Sequence, residues 1–205
     1  AISRYTLNVQ VSPLGSGSVS PSGGTFDEGT IVSLTATPAA GYRFDHWEGD
    51  LSGTANPASI TMNGNKTVTA VFIRRYTLNV QVSPPGSGSV TPSGGTFDSG
   101  TSVILTATAN SGYRFDHWEG DASGTTNPTS ITMNSDKSVK AVFVSQYTLS
   151  VEVSPIGSGS VSPSGGTFDS GTSVTLTATA NSGYRFDHWE GDLSGSANPS
   201  SITMD

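Results

Sequence analysis

Tyr5, Tyr76 and Tyr147 each open a Y-T-L-x-V-x-V segment, and the intervals 76 − 5 and 147 − 76 are both 71 residues. Trp47, Trp118 and Trp189 keep the same spacing, so the copies carry no insertion or deletion over the span they share. A period this strict restricts the chain to tandem copies of one small unit, whatever its total length. The copies run 5–75, 76–146 and 147–205, and residues 1–4 align with the tail of a unit, Phe72-Ile73-Arg74-Arg75.

Within a copy the apolar residues alternate with polar ones, the period of a half-buried strand. Leu7, Val9 and Val11 predict a first strand, and Ser18–Ser20 a short second one. Val32, Leu34 and Ala36 share a face of a third, Tyr42–Trp47 forms a fourth, Ile60 and Met62 mark a fifth, and Val68, Ala70 and Phe72 line a sixth. Pro13-Leu14-Gly15-Ser16-Gly17 and Pro21-Ser22-Gly23-Gly24 read as turns. No stretch has a helical period. The expected fold is all-β: small antiparallel, sandwich-like domains of about six strands, set end to end as an elongated rod.

Differences between copies say which positions face water. Ile31 is matched by Ser102 and Ser173, Ser33 by Ile104 and Thr175, and Leu51 by Ala122 and Leu193. A packed core rarely accepts such swaps, so these positions are expected at the surface.

Between Phe72 and Tyr76 lie only Ile73, Arg74 and Arg75, and between Phe143 and Tyr147 only Val144, Ser145 and Gln146. A flexible tether needs a longer Gly- or Ser-rich run, so adjacent units are expected to dock stiffly. Units of this length are about 30 Å across, and three in line would span roughly 90 Å. Copy three stops at Asp205, before an equivalent of Lys66–Phe72, and the sequence reads as an excerpt of a longer array. The third unit is therefore expected to expose a sheet edge and to fray unless another chain supplies the strand.

Composition excludes several functions. A net charge of −7, with nine Lys and Arg scattered along the chain, argues against nucleic acid or an anionic membrane as partner. The chain has no cysteine, which rules out disulfides, thiolate metal sites and cysteine nucleophiles. The aromatic residues and apolar alternations supply material for a core, unlike a disordered chain.

The stretch GYRFDHWEGD at 41–50, 112–121 and 183–192 holds the candidate site. One His per copy, with Asp45 and His46 on opposite faces of a strand, does not make a transition-metal site. Calcium is open to the acidic loop from Glu48 to Asn56, which lacks the EF-hand pattern; the competing reading has Asp50 and Asn56 tying the loop by Asx-turns. "GSGSVSPSGG" frames no Ser nucleophile, and Asp45 with Glu48 reads as ordinary surface acid rather than a glycosidase pair, so no catalytic residue, cofactor site or metal site is assigned. Asn65-Lys66-Thr67 fits a glycosylation sequon, but copy two has Asp136-Lys137-Ser138 in its place.

The aromatic residues leave a choice. In strict alternation Phe44 and Trp47 face opposite ways, so either the strand bulges near Asp45-His46 or Trp47 is displayed. Displayed, it would stack on a sugar beside acids that take hydroxyl hydrogen bonds. The candidate ligand-binding residues are then Asp45, Trp47, Glu48 and Asp50, with Asp116, Trp118, Glu119 and Asp121, and Asp187, Trp189, Glu190 and Asp192. Buried, the tryptophans are core, which a 71-residue unit without disulfides needs.

The order G-S-G-S-V, T-F-D-x-G-T, L-T-A-T, G-Y-R-F-D-H-W-E-G-D, N-P, S-I-T-M and K-x-V-x-A-V-F resembles the divergent internalin B-repeats. That resemblance implies an extracellular module of bacterial surface or secreted proteins, a stalk or adhesive segment with aromatic residues in its core and no catalytic residues. The more distant internalin B-repeats proper have a β-grasp fold with a helix, which this sequence does not provide. The expected function is a non-enzymatic stalk, spacer or fibre segment whose partners are neighbouring repeats. The alternative is an adhesin-type module binding host or matrix glycan or protein.

Overall fold

The computed structural model describes residues 2–205, and among them there is no helix. The first copy builds β1 (Arg4–Ser12), β2 (Gly17–Ser20), β3 (Gly23–Asp27), β4 (Ile31–Pro38), β5 (Tyr42–Gly49), β6 (Ala58–Thr61) and β7 (Lys66–Ser83). Next come β8 (Gly88–Thr91), β9 (Gly94–Asp98), β10 (Ser102–Ala109), β11 (Tyr113–Gly120), β12 (Thr129–Thr132) and β13 (Lys137–Ser150). The last are β14 (Gly159–Ser162), β15 (Gly165–Asp169), β16 (Ser173–Ala180) and β17 (Ser200–Thr203).

Two compact units divide these strands. The first gathers the chain up to Asn79 with Gly94–Val103 and Ser130–Lys137; the second gathers Val80–Ser93, Ile104–Thr129 and Ser138–Asp205. The middle copy contributes to both, because the strands at its ends run through the sequence boundaries instead of stopping there.

In the first unit β5, β7, β1 and β3 form one sheet and β2, β4 and β6 another. Their inner faces enclose Leu7, Val19, Val32, Leu34, Ala36, Trp47, Ile60, Met62, Val68, Ala70 and Phe72. On β4 the alternation is strict: Val32, Leu34 and Ala36 are buried while Ile31 is 70% exposed. Ile104 is 64% exposed in the second unit, so the two swapped positions on this strand face water as expected. The third swapped position does not. Leu51 packs against the core and Ala122 is buried, because the loop after β5 folds back over the sheet end. That site takes Leu or Ala by adjusting a loop rather than a strand.

Two further expectations are corrected. Gly23 and Gly24 lie in a strand, not only a turn: β3 pairs with β1 from Asn8↔Gly23 to Arg4↔Asp27. Its entry holds Gly23 at φ +116°, where a Cβ would stand 2.7 Å from the Leu7 carbonyl oxygen. Within the first copy β1 and β7 run parallel, from Leu7↔Lys66 to Ser12↔Val71, while β1 with β3, β2 with β4, β4 with β6 and β5 with β7 are antiparallel. The first and last strands of the copy are thus neighbours.

The joint Ile73-Arg74-Arg75 is not a connector. It lies inside β7, an 18-residue strand that closes one copy and opens the next. Its flanking partners change along its length: β5 covers Val68–Arg74 and β9 takes over from Arg75 to Asn79. In the second unit β13 does the same, with β11 on Val139–Ser145 and β15 on Gln146–Ser150.

The third copy is less closed. Val174, Leu176 and Met204 are its buried core, Trp189 is only partly covered, and residues 184–188 are unpaired.

Candidate functional site

The aromatic strand resolves its own ambiguity through a bulge. In β5 Phe44 stands opposite Phe72 and His46 opposite Val71, leaving Asp45 as the extra residue. The extra residue restores Trp47 to the face of Phe44. Their ring centroids lie 5.1 Å apart, and Phe44 meets Phe72 edge-on at 5.8 Å. Trp47 is 1% exposed and its indole N–H donates to the Ala55 carbonyl at 2.8 Å. β11 repeats this around Phe115 and Phe143, with Trp118 also 1% exposed and bonded to Thr126.

Trp47 and Trp118 are therefore corrected from candidate ligand residues to core, since a ring with no exposed face cannot stack on a sugar. Trp189 keeps the same contacts, to Phe186 and to the Ala197 carbonyl, and packs against its smaller core.

The acids separate into different roles. Asp45, pushed out by the bulge, accepts from Arg43 Nη1 at 2.7 Å and meets His46 Nδ1 at 2.8 Å. His46 Nε2 in turn faces Glu48 at 3.1 Å. The hydrogen bond from His46, then that from Arg43, holds the Asp45 carboxyl below the ordinary aspartate value; Asp45 and then Glu48 raise His46. Asp116, His117 and Glu119 reproduce the row, and Asp187, His188 and Glu190 do so on a more exposed backbone. These are paired surface charges with no metal-holding arrangement: among the described residues no group of three or more His, Asp or Glu could hold an ion.

Asp50 and Asn56 close the loop, but not as Asx-turns. Asp50 accepts the Thr67 amide of β7 at 2.7 Å, and Asn56 pairs with both the amide and carbonyl of Ala36 on β4, at 2.8 and 2.7 Å. Each side chain stands in for a strand residue of a distant strand. Asp121 and Asn127 repeat this at Ser138 and Ala107. Gly49, at φ +92°, lets the loop approach so closely that a Cβ there would collide with the Thr67 carbonyl. Of the oxygens proposed for calcium, Asp50 Oδ2 and Asn56 Oδ1 are thus engaged with backbone, and Glu48 Oε1 with His46. Asn65, the sequon residue, accepts the Thr6 amide at 2.9 Å; Asp136 does so for Thr77, so what the copies share is an acceptor and not an amide.

A shallow groove of about 420 Å³ brings Glu119 and Asp121 together with Gln81 and Lys140. It contains no aromatic ring.

The structure adds residues that sequence reasoning missed. Arg43 reaches from β5 into the following copy, where its Nε and Nη2 meet both carboxylate oxygens of Asp98 at 2.7–2.9 Å. Arg75 Nε lies 3.6 Å from the same carboxylate, and Arg74 sits between the Tyr42 and Tyr76 rings at 5.1 and 5.6 Å. Arg43 holds the Asp98 carboxyl below its ordinary range. Arg114 and Asp169 form the same fork in the second unit, joined by Gln146 at 3.1 Å. The joint, then, is a continuous strand pinned by a planar bidentate ion pair.

This all-β geometry, with copies sharing strands at their joints, defines a tandem repeat module. The profile of the family described as "Divergent InlB B-repeat domain" matches residues 7–75, 78–146 and 149–205, and the chain belongs to that family. Repeats of this type are typically associated with bacterial surfaces. No curated protein matches the chain.

Proposed function

We propose that the chain is a non-enzymatic spacer, a stalk segment of a bacterial surface or secreted protein whose partners are neighbouring repeats of the same chain or fibre. The observation that carries this is the joint: β7 runs unbroken through Ile73–Arg75 while Arg43 grips Asp98. A stalk built on such joints gains reach with copy number. The histidines and acids of the aromatic strand fit this reading, being paired with one another and with backbone rather than arranged around a vacant centre. An adhesin reading that relied on Trp47 and Trp118 as stacking platforms lacks its aromatic surface.

Scattering on chains with one or two extra copies of residues 76–146 tests the proposal. Each added copy lengthens the maximum dimension by a constant increment of roughly 30 Å. Growth only as a compact globule grows would overturn the spacer reading.

A further inference from the structure

The parallel pairing of β1 with β7 has a mechanical meaning, and from it we infer that the repeat is a shear clamp, built to resist tension along the chain. The chain enters the first copy at the N-terminal end of β1 and leaves it at the C-terminal end of the bonded part of β7. The two strands are side by side and point the same way, from Leu7↔Lys66 to Ser12↔Val71. Tension therefore draws them in opposite directions along their common axis. Every pair of that ladder resists at once, whereas a ladder opened from one end yields pair by pair.

The surroundings reinforce the ladder. β7 is flanked on its other side by β5 over Val68–Arg74, and β1 is flanked by β3. For the strands to slide, Leu7, Val68, Ala70 and Phe72 must leave the core together, since all are buried and belong to one cluster. Asn65 holds the Thr6 amide at the foot of the ladder, and Asp136 holds Thr77 likewise. Because β7 continues as strand to Ser83, force arrives along the strand rather than across a loop. The inference goes beyond the spacer reading, for a spacer sets distance and can be mechanically weak.

The chain has no cysteine, so introduced thiols give unique handles for single-molecule pulling. Ile2→Cys with Asp205→Cys loads β1 and β7 in shear. Ile2→Cys with Gly64→Cys pulls the adjacent N-terminal ends of the same strands apart and peels them; a side chain at Gly64 enters open space. Both variants are first matched to the parent by circular dichroism and melting temperature. The clamp predicts an end-to-end rupture force several-fold above the peeling force, with full-copy events releasing about 250 Å of chain at roughly 3.5 Å per residue. Equal forces in the two geometries, or a lower end-to-end force, overturn it. That result would leave the spacer proposal standing, because scattering reports length and not strength.

Discussion

At the scale of single residues, Trp47 and Arg43 do different work two turns of the pleat apart. Trp47 fills the core because Asp45 takes up the extra position of a bulge, and truncating a buried ring leaves a cavity that the sheets cannot close. Trp47→Ala is expected to cost about 3–5 kcal/mol, read from the midpoint of urea unfolding. Arg43→Ala removes a partly exposed bidentate pair and is expected to cost only about 1 kcal/mol; Arg43→Lys restores little of it, since an ammonium cannot match the fork. The pair also sets an acid limit. Asp98 and Asp45 have folded-state values below the ordinary 3.8, so their contribution is complete above that value and is lost as pH falls through the folded one. His46 is raised above 6.5, so its small contribution is present below 6.5 and is lost as pH rises through the folded value. Unfolding midpoints should therefore be highest near about pH 5, and Arg43→Ala with Arg114→Ala should make the acid limb shallower by the share of Asp98 and Asp169, leaving the share that His46 and His117 hold on Asp45 and Asp116. An unchanged acid limb in that double variant would show that the pairs do not set it.

At the scale of elements, the strands with alternating side chains were legible and those with other constraints were not. β1, β4 and the first half of β7 follow from Leu7-Val9-Val11, Val32-Leu34-Ala36 and Val68-Ala70-Phe72. β3 was hidden because Gly23 and Gly24 carry no side chain to alternate and read as turn residues. The Arg43–Asp98 fork was hidden for another reason: the two residues are 55 apart in sequence and belong to different copies. The repetition of both letters at a constant interval was the available signal, but a repeat makes every residue recur and so marks none. Unpaired backbone should also be measurable. Residues 184–188 lack the ladder that holds β5 and β11, and Arg185 has an 87% exposed side chain. Limited trypsin digestion is expected to cut after Arg185 well before Arg43 or Arg114; equal rates at the three sites would contradict the difference in pairing.

At the scale of the molecule, the 71-residue period gives three copies, and the family matches end at residues 75 and 146 where the sequence boundaries fall, yet the strands do not stop there. Sequence boundaries at Arg75 and Gln146 fall inside β7 and β13, and the compact units of the structure cut across the middle copy. The stiffness and strength proposed for the repeat therefore depend on the joint being strand and not linker. Site-resolved hydrogen exchange measures this directly at two amides, Arg75, which donates to the Gly41 carbonyl at 2.8 Å, and Gln146, which donates to Gly112 at 2.7 Å. In a continuous strand both exchange as slowly as the strand residues on either side of them. Exchange at the rate of an open loop at Arg75 and Gln146, with protected strands flanking them, would contradict it.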